Sequence, residues 1–293
     1  MQKPSGLGIW CATNVMCPAD LANLATEVER HGYETLWYPE SLSYECFALA
    51  SFLLSKTSKL KVASGIANIY ARDAVTAAQG HDSLNRLYDN RFLMGLGVSH
   101  APLVEQARGH SYKSPVSTMR SYLRTMAQAM IDPTIAMNER TLVLAALGPK
   151  MLALSAEATK GAHPYCVTPD HTAKARQILG ATPWLCVEQK IILSADEEIV
   201  RPLQRRHMAR YMTFENYRNN WRRLGFAEEE FTGDCSNRFL DAMIVWGTET
   251  TIFDCIDSHR RAGADQVILQ AFPPDGSTGQ DPRALEAFAP EKS

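Results

Sequence analysis

The sequence predicts an α/β fold, a single (β/α)8 TIM barrel with insertions at its C-terminal mouth, spanning residues 1–293 as one domain. Three observations predict it. Eight short apolar runs alternate with helical patterns along the whole chain, without a break in composition. The runs are nearly continuous in apolar residues, as strands covered on both faces are. Two connections, 99–115 and 195–246, exceed the usual loop length, and in a barrel long segments after strands gather at the mouth. A doubly wound sheet is the other arrangement that such alternation allows.

Each element has a local signal. LGIWCA (7–12) is the first strand. After Asp20, read as an N-cap, Leu21, Leu24, Ala25 and Val28 recur at helical spacing, and His31-Gly32 stops the helix. TLWYPE (35–40) is the second strand and 46–56 the next helix. KLKVASGIAN (59–68) is the third strand, interrupted by Ser64 and Gly65. A glycine inside a strand marks a bulge or a close approach to the main chain. Asp73 caps the helix over 73–88. RFLMGLGV (91–98) is the fourth strand, followed beyond the long loop by a helix over 115–131. TLVLAALG (141–148) is the fifth, with Pro149 at the first position of a helix over 149–160. HPYCVT (163–168) reads as the sixth strand and precedes a helix over 170–180. WLCVEQKIILS (184–194) is the seventh. The 195–246 segment behind it holds more than one helix, including the aromatic and basic stretch YMTFENYRNNWRRLGF. TETTIFDCIDSHRRAGA is the last helix, stopped at Gly263, and QVILQAF (266–272) the eighth strand. From Pro273 the chain reads as a polar tail.

Composition narrows the function. The chain is 45% hydrophobic and 21% charged with a net charge of −2, so it lacks the basic footprint of a nucleic-acid binder. Tyr211, Phe214, Tyr217, Trp221 and Phe226 therefore read as core or subunit packing. No apolar run approaches the length of a membrane span, and the first residues show no secretory signal. Seven scattered cysteines read as reduced thiols, without the spacing of a metal site. A cytoplasmic protein without metal, membrane or nucleic-acid partner is expected.

The strand ends hold the candidate residues. Glu40 is either a solvated or capping carboxylate or one facing the mouth. Asn68 suits a ligand hydrogen bond and suits a turn equally. Arg72 is read as a partner for Asp73. Gly95, Gly97 and Ser99 allow close approach of a ring or phosphate, without forming a dinucleotide fingerprint. His100 is a base or a surface imidazole. Gly148 and Pro149 open a helix whose free N–H groups suit an anion, with Lys150 adding charge. His163 is placed at an N-terminal strand end, where a barrel keeps residues for stability. No hydrolase, Walker or H-E-x-x-H sequence is present.

Taken together, GYETLWYPES, SGIANIYARD, NRFLMGLGVSHAPLVEQARGHSY, ALGPKMLALSAEATKGAHPYCVTPDHT and ENYRNNWRRLGF resemble the luciferase-like monooxygenase superfamily. They look closest to its coenzyme F420-dependent oxidoreductase branch. The resemblance implies a flavin or deazaflavin in the barrel mouth. It implies a non-proline cis peptide at Ser64-Gly65 or Gly65-Ile66, with the ring resting on it. Glu40 and Ser41 would lie near the reactive face as catalytic residues. Ser64, Gly65 and Asn68 would border the ring, Gly97, Val98 and Ser99 the ring and tail, and Ala145, Ala146, Gly148 and Pro149 the phosphate. Arg72, Arg108, Lys113 and Lys150 would face the acidic tail of F420. A small organic substrate and a homodimer are implied as well. FMN is the alternative cofactor, with monooxygenase chemistry, and a non-catalytic flavin-binding barrel is a third reading. Some F420 enzymes of the superfamily have a histidine where this chain has Ser41, so their acid-base scheme does not transfer whole.

Overall fold

A computed structural model describes residues 1–129 and 139–290. The last two residues of the helix expected over 115–131, and the end of the polar tail, lie outside them. Among the described residues ten parallel strands form the sheet: β1 (Leu7–Trp10), β2 (Thr35–Tyr38), β3 (Lys61–Ser64), β4 (Ala67–Asn68), β5 (Phe92–Gly97), β6 (Leu142–Leu144), β7 (Gly161–Ala162), β8 (Trp184–Ile192), β9 (Ile244–Trp246) and β10 (Gln266–Ala271). Neighbours run in order from β1 through β8, and β10 pairs with both β8 and β1, which closes a (β/α)8 barrel. β4 continues the third stave after an interruption and pairs with β5.

The helices wrap this barrel: α1 (Pro18–Arg30), α2 (Cys46–Ser55), α3 (Ala74–Leu87), α4 (Ala101–Glu105), α5 (Pro115–Gln128), α6 (Pro149–Ala158), α7 (Pro169–Leu179), α8 (Glu197–Met208), α9 (Glu215–Arg223), α10 (Asn237–Met243), α11 (Glu249–Arg261) and α12 (Pro282–Ala287). Their starts follow local chemistry. Asp73 accepts from the Val75 and Thr76 amides at the start of α3, and Thr248 from the Thr251 amide at α11. Among the described residues no helix is long and apolar enough to cross a membrane.

Strand alternation sorts the side chains. Trp10, Trp37, Ala63, Leu93, Val143, Trp184, Cys186 and Ile268 fill the lumen, while Leu36, Val62, Leu96 and Leu144 pack outward against the helices. A second apolar cluster gathers Phe214, Tyr217, Trp221, Phe226, Phe231 and Phe239 of the 195–246 segment over the mouth. The aromatic stretch is therefore core.

Four expectations are corrected. Asp20 is inside the first turn of α1, whose N-cap is Cys17 without a side-chain bond. The sixth stave is Gly161–Ala162, ahead of the expected 163–168. Gly161 permits the close approach to β8, since a Cβ there would lie 1.9 Å from the Trp184 carbonyl oxygen. The 195–246 segment also ends in a strand, β9, which pairs with Lys190–Ile192 at the upper part of β8. The tail beyond Pro273 contains α12, started by Asp281.

Candidate functional site

The third stave ends irregularly over Ser64, Gly65 and Ile66, as expected. The Gly65-Ile66 bond is cis, the second of the two expected positions. The break is well tied down. Gly65 N–H donates to the Tyr38 carbonyl at 2.7 Å, Ser64 Oγ donates to the Gly95 carbonyl at 2.9 Å, and Glu40 N–H donates to the Ile66 carbonyl at 3.3 Å. The two glycines of β5 make room for this break. A Cβ on Gly95 would lie 2.1 Å from Ser64 O, and one on Gly97 would lie 2.5 Å from Ile66 Cδ1. The space expected to admit a ring or phosphate at Gly97 is filled by the chain's own Ile66. Gly65 and Ile66 themselves are only half-buried and front the mouth, with Val98, Ser99 and Ala145 half-buried nearby in sequence and stave order. The Ser99 backbone has φ 58°, and its carbonyl accepts from Tyr112 OH at 3.4 Å.

Glu40, just past β2, is almost fully enclosed. Its Oε2 accepts from the Asn68 amide at 2.7 Å and from Arg72 Nη1 at 3.1 Å, and its Oε1 accepts from Arg72 Nη2. Arg72 also reaches Glu45 at 3.0 Å. It pairs with these two glutamates rather than with Asp73, and it is unavailable as a tail-binding cation. Asn68 turns its side chain back to its own loop, where Oδ1 accepts from the Tyr70 amide at 2.9 Å. Ser41 Oγ lies 3.1 Å from Ser43 Oγ. His100 stacks on Phe214 with centroids 3.9 Å apart and reaches Asn216 Oδ1 at 3.2 Å, so it docks the long segment on the mouth. Burial holds its imidazole down at about 4.

The fifth stave leads through Ala145 and Ala146 to Gly148, the N-cap of α6, with Pro149 as its first residue. The first-turn amides of a helix have no intrahelical acceptor, so this end favours an anion. A side chain that the sequence reading missed lies beside it. Arg223, at the end of α9, brings Nη2 within 3.6 Å of where a Gly148 Cβ would be. Arg218 and Arg222 of the same helix pair with Glu215 and Glu228. Among the described residues no carboxylate pairs with Arg223, whose pKa is lowered by desolvation. Lys174 of α7 donates to the Arg223 carbonyl at 3.2 Å, and Lys150 is in the first turn of α6.

Opposite, the lumen carries polar groups that the sequence reading also missed. Lys190 and Glu188 alternate on β8 and form a fully buried ion pair at 2.9 Å. The Lys190 ammonium lies 3.5 Å above the Tyr165 ring. Tyr165 OH donates to Gln270 Oε1 at 2.9 Å and contacts Tyr211 OH at 2.7 Å. Burial disfavours the Lys190 charge, but the acidic groups around it, Glu188 among them, outweigh it and raise its pKa. Trp10 Nε1 and His163 Nε2 are buried and have no partner among the described residues. His163 follows β7 and so belongs to the mouth end, not to the stabilising floor where it was expected. The period of WLCVEQKII was the available signal: it puts Glu188 and Lys190 on the same face as Trp184 and Cys186.

A seat of half-buried backbone and an anion-favouring helix end, beside a guanidinium with no carboxylate partner among the described residues, are features that suit a ring with a phosphate. The 5,10-methylenetetrahydromethanopterin reductase of Methanolobus tindarius is 23% identical over 158 residues, 48% of this chain and 48% of that protein. The chain thus matches about half the length of that relative. An F420-dependent secondary alcohol dehydrogenase solved with an F420-acetone adduct superposes with a TM-score of 0.77 at 12% identity, covering 98% of both chains. The FMN-bound oxygenating constituent of 3,6-diketocamphane monooxygenase from Pseudomonas putida superposes with a TM-score of 0.71 at 13% identity, covering 98% of this chain and 97% of that one. At such identities the superpositions show the fold alone. The description that matches the chain across residues 5–266 is luciferase-like monooxygenase. By this match over most of its length, closed on a barrel of the same fold, the chain belongs to the luciferase-like monooxygenase family.

Proposed function

We propose that the protein is an oxidoreductase that transfers a hydride between coenzyme F420 and a small organic substrate. The observation that carries this reading is Arg223 beside the N-terminus of α6, with Lys150 in that helix's first turn and Lys174 bonded to the Arg223 carbonyl. Among the described residues none of the three has a carboxylate partner. A terminal phosphate, as in FMN, needs one such site. F420 continues past its phosphate into a chain of several carboxylates, and further cations without carboxylate partners along this end suit that tail better.

In this reading Gly65 and Ile66 seat the ring, and the α6 N-terminus with Arg223 takes the phosphate. Bound there, the deazaflavin supplies a ring carbon that accepts or releases the hydride. Glu40 and Arg72 fix the loop after β4 beside the ring. Ser41, past β2 next to Glu40, is the hydroxyl this reading assigns to a proton on the substrate side. Tyr165, Tyr211, Tyr217 and Phe214 roof the mouth and exclude water, and the 99–115 and 195–246 segments shape the substrate pocket.

Fluorescence titration of the empty protein with F420 and with FMN, at two ionic strengths, tests the reading. F420 is expected to bind more tightly than FMN, and added salt to weaken F420 more than FMN, because its additional charges are screened. Tight FMN binding without measurable F420 binding would move the assignment to a flavin-dependent monooxygenase. Steady-state hydride transfer would exclude a non-catalytic flavin-binding barrel.

A further inference from the structure

One histidine stands at the mouth with both ring nitrogens unused. α8 turns Val200, Leu203, Gln204 and Met208 inward, and His207 falls in the same stripe at helical spacing. Its ring lies flat on Phe272, with centroids 3.5 Å apart and planes 11° from parallel. Phe272 extends the ladder of β10 by one residue, its N–H donating to the Ile191 carbonyl at 2.9 Å. Strand alternation puts it on the face of Ile268, which fills the lumen, and of Gln270, which bonds Tyr165. The imidazole is thereby fixed at the mouth end of the eighth stave.

Neither nitrogen of His207 has a hydrogen-bond partner among the described residues. Trp10 Nε1 and His163 Nε2 are shut in, whereas His207 is half-buried and neither of its nitrogens is closed to solvent. The charged groups that bear on it are Arg206 and Lys190, both cations. Burial first, and then these cations, hold its pKa down at about 4, so the ring is neutral at neutral pH. A neutral imidazole offers one N–H donor and one lone pair. Tyr211, four residues on, and Tyr165, with its ring 5.4 Å away, are half-buried aromatic walls of the same mouth. The surroundings are thus apolar apart from this one group, and a ligand rather than the chain is left to use it.

We infer that His207 is the polar anchor of the substrate pocket, holding the oxygen of a mainly apolar ketone or alcohol whose body packs on Phe272, Tyr211 and Tyr165. A ketone oxygen accepts from the imidazole N–H, and an alcohol can also donate to its lone pair. Arg206 and Lys190 disfavour a cationic substrate such as an amine. This rests on the substrate pocket proposed above, and it holds whether the cofactor is F420 or FMN. Stacking on Phe272 fixes the ring before the substrate arrives, which lowers the cost of binding.

Cyclohexanone is the probe, and methylenecyclohexane, which has its shape without the oxygen, is the control. Wild-type protein with isotope-labelled histidines, saturated with whichever of F420 and FMN binds, is titrated with each compound while the His207 signal is followed by NMR. Loss of that signal in His207→Phe or His207→Gln identifies it. Cyclohexanone is expected to move the His207 signal and methylenecyclohexane to leave it in place. Cyclohexanone should bind His207→Phe about tenfold more weakly than wild type, the loss of one hydrogen bond. His207→Gln, which keeps an N–H donor, should recover part of that loss. The wild-type comparison stands even where the phenylalanine variant fails to fold. A His207 signal that cyclohexanone does not move, or that both compounds move alike, would overturn the inference. The same titration of the empty protein keeps it apart from the ring site: absence of cofactor binding would overturn the ring site, while a response to cyclohexanone alone would leave the His207 anchor standing.

Discussion

Glu40 holds Arg72 through both carboxylate oxygens and the Asn68 amide through one of them, with its side chain 3% exposed. Removing one partner of a buried pair leaves an uncompensated charge. Glu40→Gln is expected to lower stability by about 3 kcal/mol, the low end for such a break, because Glu45 still faces Arg72. Chemical denaturation reads that loss. Turnover separates the two roles of Glu40. If its carboxylate also moves a proton, turnover falls by about 10²–10⁴-fold beyond any loss of folded protein; unchanged turnover per folded molecule leaves Glu40 a structural carboxylate. Strand position alone could place Glu40 at the mouth. It could not show that Arg72 turns to it, because the pair joins residues 32 apart through the break at Gly65. Arg223 was hidden for the same reason, being brought to Gly148 only by the packing of α9.

The phosphate end belongs to the scale of elements, where α6 and α9 meet. Arg223→Ala is expected to weaken F420 or FMN about tenfold, the loss of one charge-assisted bond. Riboflavin, which has the ring without the phosphate, should bind the variant as it binds the wild type, and an equal loss for riboflavin would place Arg223 elsewhere. At this scale the sequence was most legible where an element carried its own signal. Gly65 inside an apolar run marked the break of the third stave, and Gly148-Pro149 marked the start of α6. The sixth stave was illegible because Gly161–Ala162 is two small residues long, and the more strand-like HPYCVT follows it. β9 was illegible because IVW completes β8 only after three helices have intervened.

Among the described residues burial pushes the pKa values of five histidines, His100, His163, His171, His207 and His259, down to about 4. In the unfolded chain they titrate near 6.5. A depressed folded value means that the unfolded chain binds protons first as pH falls. The contribution is fully present above about pH 6.5 and is lost progressively as pH falls toward 4. The melting temperature is therefore expected to drop across that window, and a flat profile between pH 6.5 and 4.5 would contradict the burial of these imidazoles. Closure of the barrel was legible in the eightfold alternation. The inward-facing Glu188 and Lys190 were overlooked within a strand read as nearly continuous in apolar residues. The central claim is one of place: the ring on Gly65 and Ile66, the phosphate between the α6 N-terminus and Arg223. A crystal structure of the protein saturated with F420 measures it most directly. The account predicts the ring against the Gly65-Ile66 peptide with its phosphate within hydrogen-bond distance of the α6 amides and Arg223. A ring bound away from that peptide, or a phosphate held at another helix, would contradict it.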